Sequence, residues 1–346
     1  MPRYALLLKA NANRVFGESA FGLAQAELAT FDQRLLHGIV THQERATIGG
    51  VDYLLVDTTE PLDAARMAVL SNLSSLHAVF EVDGDGRFDP MPFAPRKLLD
   101  EDVVTIQRYT GKTNEAFTHL LVNVALAASG DAFGRLLAGE PVRLLDPACG
   151  RGTSLNRAAL YGMDAFGIEV DQRDVEAYDL FFTTWLKDKR MKHNVERATL
   201  RKGRPTPAHR VTITYGTGKD PRTNRWVDVV HDDTVAGRDH LKARSIDLLV
   251  CDLPYGVQHG SRPVADTLDR GPERLLEAAL PVWFDVLKPG AAAALAWNRR
   301  TLARGRLVKL VTAAGFVVGE PSDESFVHRV DRSIKRDVLL AVRPNA

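Results

Sequence analysis

From about residue 115 onward, short apolar runs alternate with stretches of helical length. That alternation restricts the fold more than any other feature of the chain. Runs suited to strands lie at 142–146, 165–170, 226–231, 246–251 and 291–297. Runs suited to helices lie at 115–128, 153–161, 172–187, 272–287 and 301–314. Strands separated by helices imply crossover connections, and so a parallel sheet with helices on both faces. The run 246–251 is apolar almost throughout, as a central strand buried on both faces must be. The run 337–342 reads as a closing strand beside residues near 316–320. The expected class is α/β, doubly wound and Rossmann-like.

The first ninety residues follow another pattern. Strand-like runs at 4–8, 51–56 and 77–82 and helical runs at 20–29 and 61–71 describe a compact α+β unit. Asp83-Gly84-Asp85-Gly86 and then Pro90, Pro92 and Pro95 punctuate its end. We therefore expect a small domain over 1–90, a linker and covering segment over 91–112, and the doubly wound domain over 113–346. A chain of 346 residues, 45% hydrophobic, has the apolar material for both.

The two cysteines, Cys149 and Cys251, exclude a disulfide scaffold, and each reads as a packing residue. Ten histidines show no ligand spacing, so no metal is expected; His259 reads as a loop residue. No apolar run reaches membrane-spanning length and none resembles a leader, so a cytoplasmic protein is expected. The formal net charge is +1, so only local clustering can point to nucleic acid.

Two strand ends carry the candidate chemistry. The strand at 142–146 ends in Asp146-Pro147-Ala148, and Cys149-Gly150-Arg151-Gly152-Thr153 follows. Two glycines here allow a sharp turn and close approach of a ligand to the backbone, and the next helix offers free N–H groups at its start. The next strand ends in Glu169, about twenty residues on, the spacing at which an acid meets ribose hydroxyls; Asp171 follows it. The strand after that ends in His231-Asp232-Asp233, where an acid can accept from an adenine amino group. Ser154 and Leu155 stand where a dehydrogenase fingerprint has its third glycine, which argues against a nicotinamide cofactor.

The strand at 246–251 ends in Asp252-Leu253-Pro254-Tyr255-Gly256. Pro254 holds Leu253 extended and so fixes its carbonyl. A carboxylate and a carbonyl together accept both hydrogens of an exocyclic NH₂, and Tyr255 offers a stacking face worth about 1–3 kcal/mol per base.

These segments resemble the class I methyltransferases that use S-adenosylmethionine (SAM), and the second is similar to the Asp-Pro-Pro-Tyr motif of the amino-methyltransferases, with Leu253 at the first proline. The resemblance implies that Asp146, Ala148, Gly150, Gly152 and Thr153 meet the methionine part. It places Glu169 and Asp171 at the ribose and Asp232 at the adenine. Arg108 to Phe117 resembles the segment that covers the methionine end in that family, with Lys112 at the SAM carboxylate and Asn114 beside it. Asp252, Leu253, Pro254 and Tyr255 would hold the target amine. The order of motifs and the small N-terminal domain resemble the THUMP-associated tRNA guanine-N2 methyltransferases, with a ferredoxin-like unit over 1–90. The implied partner is RNA, above all tRNA. Methylation of adenine N6 or cytosine N4 in DNA and a non-catalytic RNA-binding protein of the same fold are the alternatives. About ninety residues follow Tyr255, which leaves little room for the large recognition domain of the DNA enzymes.

Cations crowd three places. One is the stretch 187–225, with Val211 to Tyr215 as part of a hairpin arm; the others are Arg299 to Arg306 and His328 to Arg336. Each reads either as a phosphate grip or as a solvated face.

Overall fold

The computed structural model describes residues 1–10, 14–200, 208–216, 223–254, 272–319 and 325–345. Two sheets organise them. The first is antiparallel and built from β1 (Arg3–Leu8), β2 (Val40–Ile48), β3 (Val51–Thr58), β4 (Leu76–Val82) and β5 (Phe88–Pro90) in the order β2-β3-β1-β4-β5. Helix α1 (Arg14–Phe31) joins β1 to β2, and α2 (Ala64–Leu70) joins β3 to β4. That βαββαβ order is ferredoxin-like. A short helix, α3 (Asp102–Thr105), lies in the segment that leads to the second sheet.

The second sheet runs β13-β15-β12-β11-β6-β7-β10-β9-β8, with β14 on β15. Its parallel centre is β6 (Arg143–Asp146), β7 (Asp164–Glu169), β10 (Arg225–His231), β11 (Ile246–Asp252) and β12 (Leu287–Asn298). Helices α4 (Glu115–Ala128), α5 (Ala132–Leu137), α6 (Thr153–Tyr161), α7 (Gln172–Asp188), α8 (Gly237–His240), α9 (Pro272–Val286) and α10 (Arg304–Ala313) make the crossovers and cover the faces. Antiparallel strands close both ends. On one side are β8 (Lys192–Leu200) and β9 (Ala208–Gly216). On the other are β13 (Val317–Val318), β14 (His328–Arg329) and β15 (Lys335–Val342). The expected doubly wound α/β class holds. The stretch read as an arm is different: β9 pairs along all of β10, and β8 pairs along β9. No helix among the described residues is long and apolar enough to cross a membrane.

Helix α4 shows how the two sheets are joined. Asn114 starts it by accepting from Ala116 N (2.9 Å) and Phe117 N (3.2 Å). Every residue from Phe117 to Ala128 is buried, because one side of the helix meets β11, β12 and β15 while the other meets α1. One continuous apolar cluster therefore runs from Tyr4 and Leu54 to Phe117 and Leu144.

A polar chain crosses the same junction. Glu27 of α1 is fully buried and accepts from Ser74 N, Ser74 Oγ (2.6 Å) and Asn123 Nδ2 (2.6 Å). Asn123 in turn accepts from the Tyr161 hydroxyl (2.7 Å). Burial pushes Glu27 up to about 7. A folded pKa above the unfolded one means that the stability from this group is complete below the unfolded value and is lost as pH rises to about 7. Glu27→Gln cannot ionise and keeps an oxygen for Ser74 N and Asn123. Urea unfolding at pH 5 and pH 8 should show the wild type losing about 2–3 kcal/mol more than the variant across that interval.

Candidate functional site

Strand order collects the expected acids. Asp252, Asp146, Glu169 and Asp232 stand at or just past the carboxyl ends of β11, β6, β7 and β10, four neighbouring strands. At about 4.8 Å per strand the row spans about 14 Å. Ligands of doubly wound sheets bind beyond this edge.

The turn after β6 is held from several directions. Asp146 accepts from Ala148 N (3.1 Å) and from the Ser154 hydroxyl. Its burial, with Glu169 and Asp252 nearby, pushes its carboxyl up to about 7. Gly150 and Gly152 both have positive φ (+51° and +76°). Gly152 N donates to Cys149 O (2.8 Å), and Thr153 opens α6. Cys149 packs where a Cβ on Gly167 would lie, 2.7 Å from its sulfur. Burial pushes the thiols of Cys149 and Cys251 well up, which keeps both protonated and unreactive.

Glu169 ties two turns together. Its Oε2 accepts from Gly150 N (2.7 Å) and its Oε1 from Asp171 N (2.9 Å). Burial is the main cause of its raised pKa. An ionised carboxylate has about four acceptor positions, so each oxygen can still take a hydroxyl. Asp171 caps α7 by accepting from Arg173 N (2.9 Å). Beyond β10, Asp232 N donates to Glu169 O (2.9 Å), while Asp232 Oδ2 meets His240 Nε2 at 2.6 Å. Asp233 accepts from Val235 N (3.0 Å) and so caps the short turn that follows.

At the other half, Asp252 Oδ2 accepts from Thr113 Oγ1 (2.8 Å) and from Arg336 Nη2 (3.1 Å). Arg336 is only 5% exposed and lies 4.5 Å over the Phe117 ring. His328 sits on the other partner of that ring, and its burial lowers it to about 4, so it adds no charge near neutral pH. Leu253 is buried and donates its N–H to Ala296 O (2.8 Å); Pro254 is exposed. Tyr255, Gly256 and His259 lie outside the described residues.

The covering segment touches both halves. Tyr109 OH lies 3.0 Å from Thr153 Oγ1 at the glycine turn after β6, and Arg151 stacks on the Tyr109 ring. Four residues later Thr113 reaches Asp252. Lys112 is placed differently from the expectation. Its ammonium donates to Val104 O (2.8 Å), Gln107 O (2.7 Å) and Glu115 (2.5 Å), so all three donors serve the segment's own fold. The sequence alone does not show that Thr113 and Arg336 reach Asp252, that Ser154 reaches Asp146 or that His240 reaches Asp232.

No protein-family model matches this sequence, and no curated protein does. Solved structures offer distant likenesses. A TehB-like SAM-dependent methyltransferase from Corynebacterium glutamicum is similar at 16% identity and a TM-score of 0.34, over 66% of this chain and 100% of that one. An rRNA methylase from Streptococcus thermophilus is similar at 9% and 0.33, over 59% and 87%. Magnesium protoporphyrin IX methyltransferase from Synechocystis, solved with SAM, is similar at 14% and 0.36, over 68% and 86%. At such values the function has to be argued from this chain's own residues.

Proposed function

We propose that this chain is a SAM-dependent methyltransferase that modifies an exocyclic amino group of a base in RNA, with guanine N2 of tRNA as the target. One observation carries the reading. A single covering segment touches a glycine turn with the hydrogen-bonding pattern of a nucleoside site at Tyr109–Thr153, and a strand-end carboxylate at Thr113–Asp252.

The donor supplies an electrophilic methyl group on a sulfonium. Gly150 leaves room for its amino-acid part, Glu169 accepts from its ribose, and Asp232 stands at the adenine end. Asp252 and the Leu253 carbonyl accept the two hydrogens of the target NH₂, which turns the nitrogen lone pair toward the methyl group. Correct placement of the two reactants supplies much of the acceleration. Asp252 also stabilises the positive charge that grows on the nitrogen as the carbon–sulfur bond breaks to leave a neutral thioether, and its carboxylate can receive the proton the nitrogen then loses. A base in a duplex cannot reach a strand end, so the target comes from a loop or is flipped out, and folded RNA offers such bases.

Calorimetry with SAM tests the first half, and mass spectrometry of tRNA nucleosides after incubation with SAM tests the second. Glu169→Ala is expected to weaken SAM roughly 10- to 100-fold, the effect of losing hydrogen bonds to a charged group. If NAD raises the melting temperature and SAM does not, the cofactor assignment is wrong.

A further inference from the structure

The cations of this protein fall into two sets. Of the seven described cations of the 187–225 stretch, four are spent within the fold, while Lys187, Arg190 and Lys192 are exposed. Lys189 pairs with Asp100 (2.8 Å) and Asp102 (2.7 Å), Arg197 with Asp179 (2.7 Å), and Arg210 with Asp228. Arg225 is buried and donates to the Gly162 and Gly139 carbonyls. The stretch is also remote, since β9 lies four strands from β11, about 19 Å. In the second cluster, Arg304 pairs with Asp337, and Arg306 with Glu273 and Glu277.

The third cluster is different in place and in charge. Because β15 runs antiparallel to β12, its first residues lie at the carboxyl edge of the parallel strands, beside Asp252. Alternation along the β14–β15 hairpin sorts its side chains. His328 and Arg336 form one pair and are buried; Arg329 and Lys335 form the next and are exposed. Arg332 in the hairpin turn and Arg300 just after β12 are exposed too. Among the described residues none of these four cations lies within an ion pair. The acid in the turn, Asp331, accepts from Ser333 N (2.6 Å), Ser333 Oγ (2.8 Å) and Ile334 N (2.8 Å). The hairpin is anchored as well. Buried Asn298 accepts from Arg300 N and Lys335 N (3.1 Å each) and donates to Ser333 O (3.2 Å).

We propose that this hairpin, with Arg300 beside it, docks the phosphodiester backbone of the RNA whose base enters at Asp252. The proposal rests on the RNA reading above. Arg336 links surface and site, since the strand that presents Lys335 outward sends the next side chain inward to Asp252. Four cations on an anchored edge hold phosphates in register with the pocket without reading sequence.

The test is a charge reversal with a matched control. One variant combines Arg329→Glu, Arg332→Glu and Lys335→Glu. The control combines Lys187→Glu, Arg190→Glu and Lys192→Glu, three exposed cations at the far edge of the sheet. Labelled, unfractionated tRNA is titrated by fluorescence anisotropy from 50 to 200 mM salt, and SAM binding is measured for every protein. The hairpin variant should bind RNA roughly 100-fold more weakly and lower the salt slope by about two, with the control within about threefold of wild type. SAM affinity should hold in both. Unchanged RNA binding by the hairpin variant, or an equal loss in the control, overturns the docking surface alone. Wild-type protein that binds SAM but no RNA overturns the substrate reading and the docking surface with it.

Discussion

Asp252→Ala is expected to lower the rate of base methylation by about a thousandfold or more while SAM affinity stays within a few fold of wild type. The estimate combines a lost hydrogen-bond acceptor on a reacting nitrogen, about 10²–10³ in rate, with looser placement of the amine. Donor binding is spared because the contacts assigned to it lie on the neighbouring strands β6, β7 and β10. The substitution has a structural cost that must be separated out. Arg336, nearly buried, loses its ion pair with Asp252, and breaking a buried ion pair costs up to about 3–5 kcal/mol.

A second variant separates the two effects. Asp252→Ala combined with Arg336→Met removes the cation of that pair as well and keeps an apolar side chain on Phe117. Stability should return toward the wild-type value while methylation stays lost. Recovery of activity along with stability would make Asp252 a fold residue, and the mechanism proposed for it would be wrong. Asp252→Asn keeps one acceptor oxygen and should fall between wild type and alanine.

How much of this was legible in the sequence follows from how each part is stabilised. The central strands read correctly because burial on both faces demands an unbroken apolar run, as in Ile246–Asp252. The acids at strand ends were readable because the turn that follows a parallel strand has a fixed place relative to it. Edge strands gave no such signal. β2, Val-Thr-His-Gln-Glu-Arg-Ala-Thr-Ile, is exposed or half-exposed throughout, so its alternation is lost. β8 is the outermost strand of its sheet and is equally polar. The basic insertion looked like a grip for phosphates because its acids, Asp100, Asp179 and Asp228, are supplied mostly from elsewhere in the chain. Partners of the site residues were hidden for the same reason: Thr113 meets Asp252 across 139 positions and Arg336 meets it across 84. Lys112 is held by the carbonyls of Val104 and Gln107, both within eight residues, a local contact that its residue type alone does not reveal.

The two glycines of the turn after β6 should respond differently to one added methyl group. A Cβ on Gly152 would lie 2.3 Å from two ring carbons of Tyr178, which is buried and stacked on Phe182. The ring has nowhere to go, and φ is +76° besides. Left-handed backbone costs about 1–2 kcal/mol and overpacking about 1–3 kcal/mol more, so Gly152→Ala should lose about 2–5 kcal/mol in denaturant unfolding. A Cβ on Gly150 meets nothing within 4 Å, so Gly150→Ala should cost only the backbone strain, about 1–2 kcal/mol. The open space above Gly150 is where the donor is proposed to lie, next to the N–H that Glu169 orients. Gly150→Ala should therefore weaken SAM at least tenfold in a protein that still folds. A double-mutant cycle with Tyr178→Val checks the steric half of the argument. It should recover part of the loss in Gly152→Ala and leave Gly150→Ala unchanged. If Gly150→Ala binds SAM as wild type does, the donor does not lie over this turn.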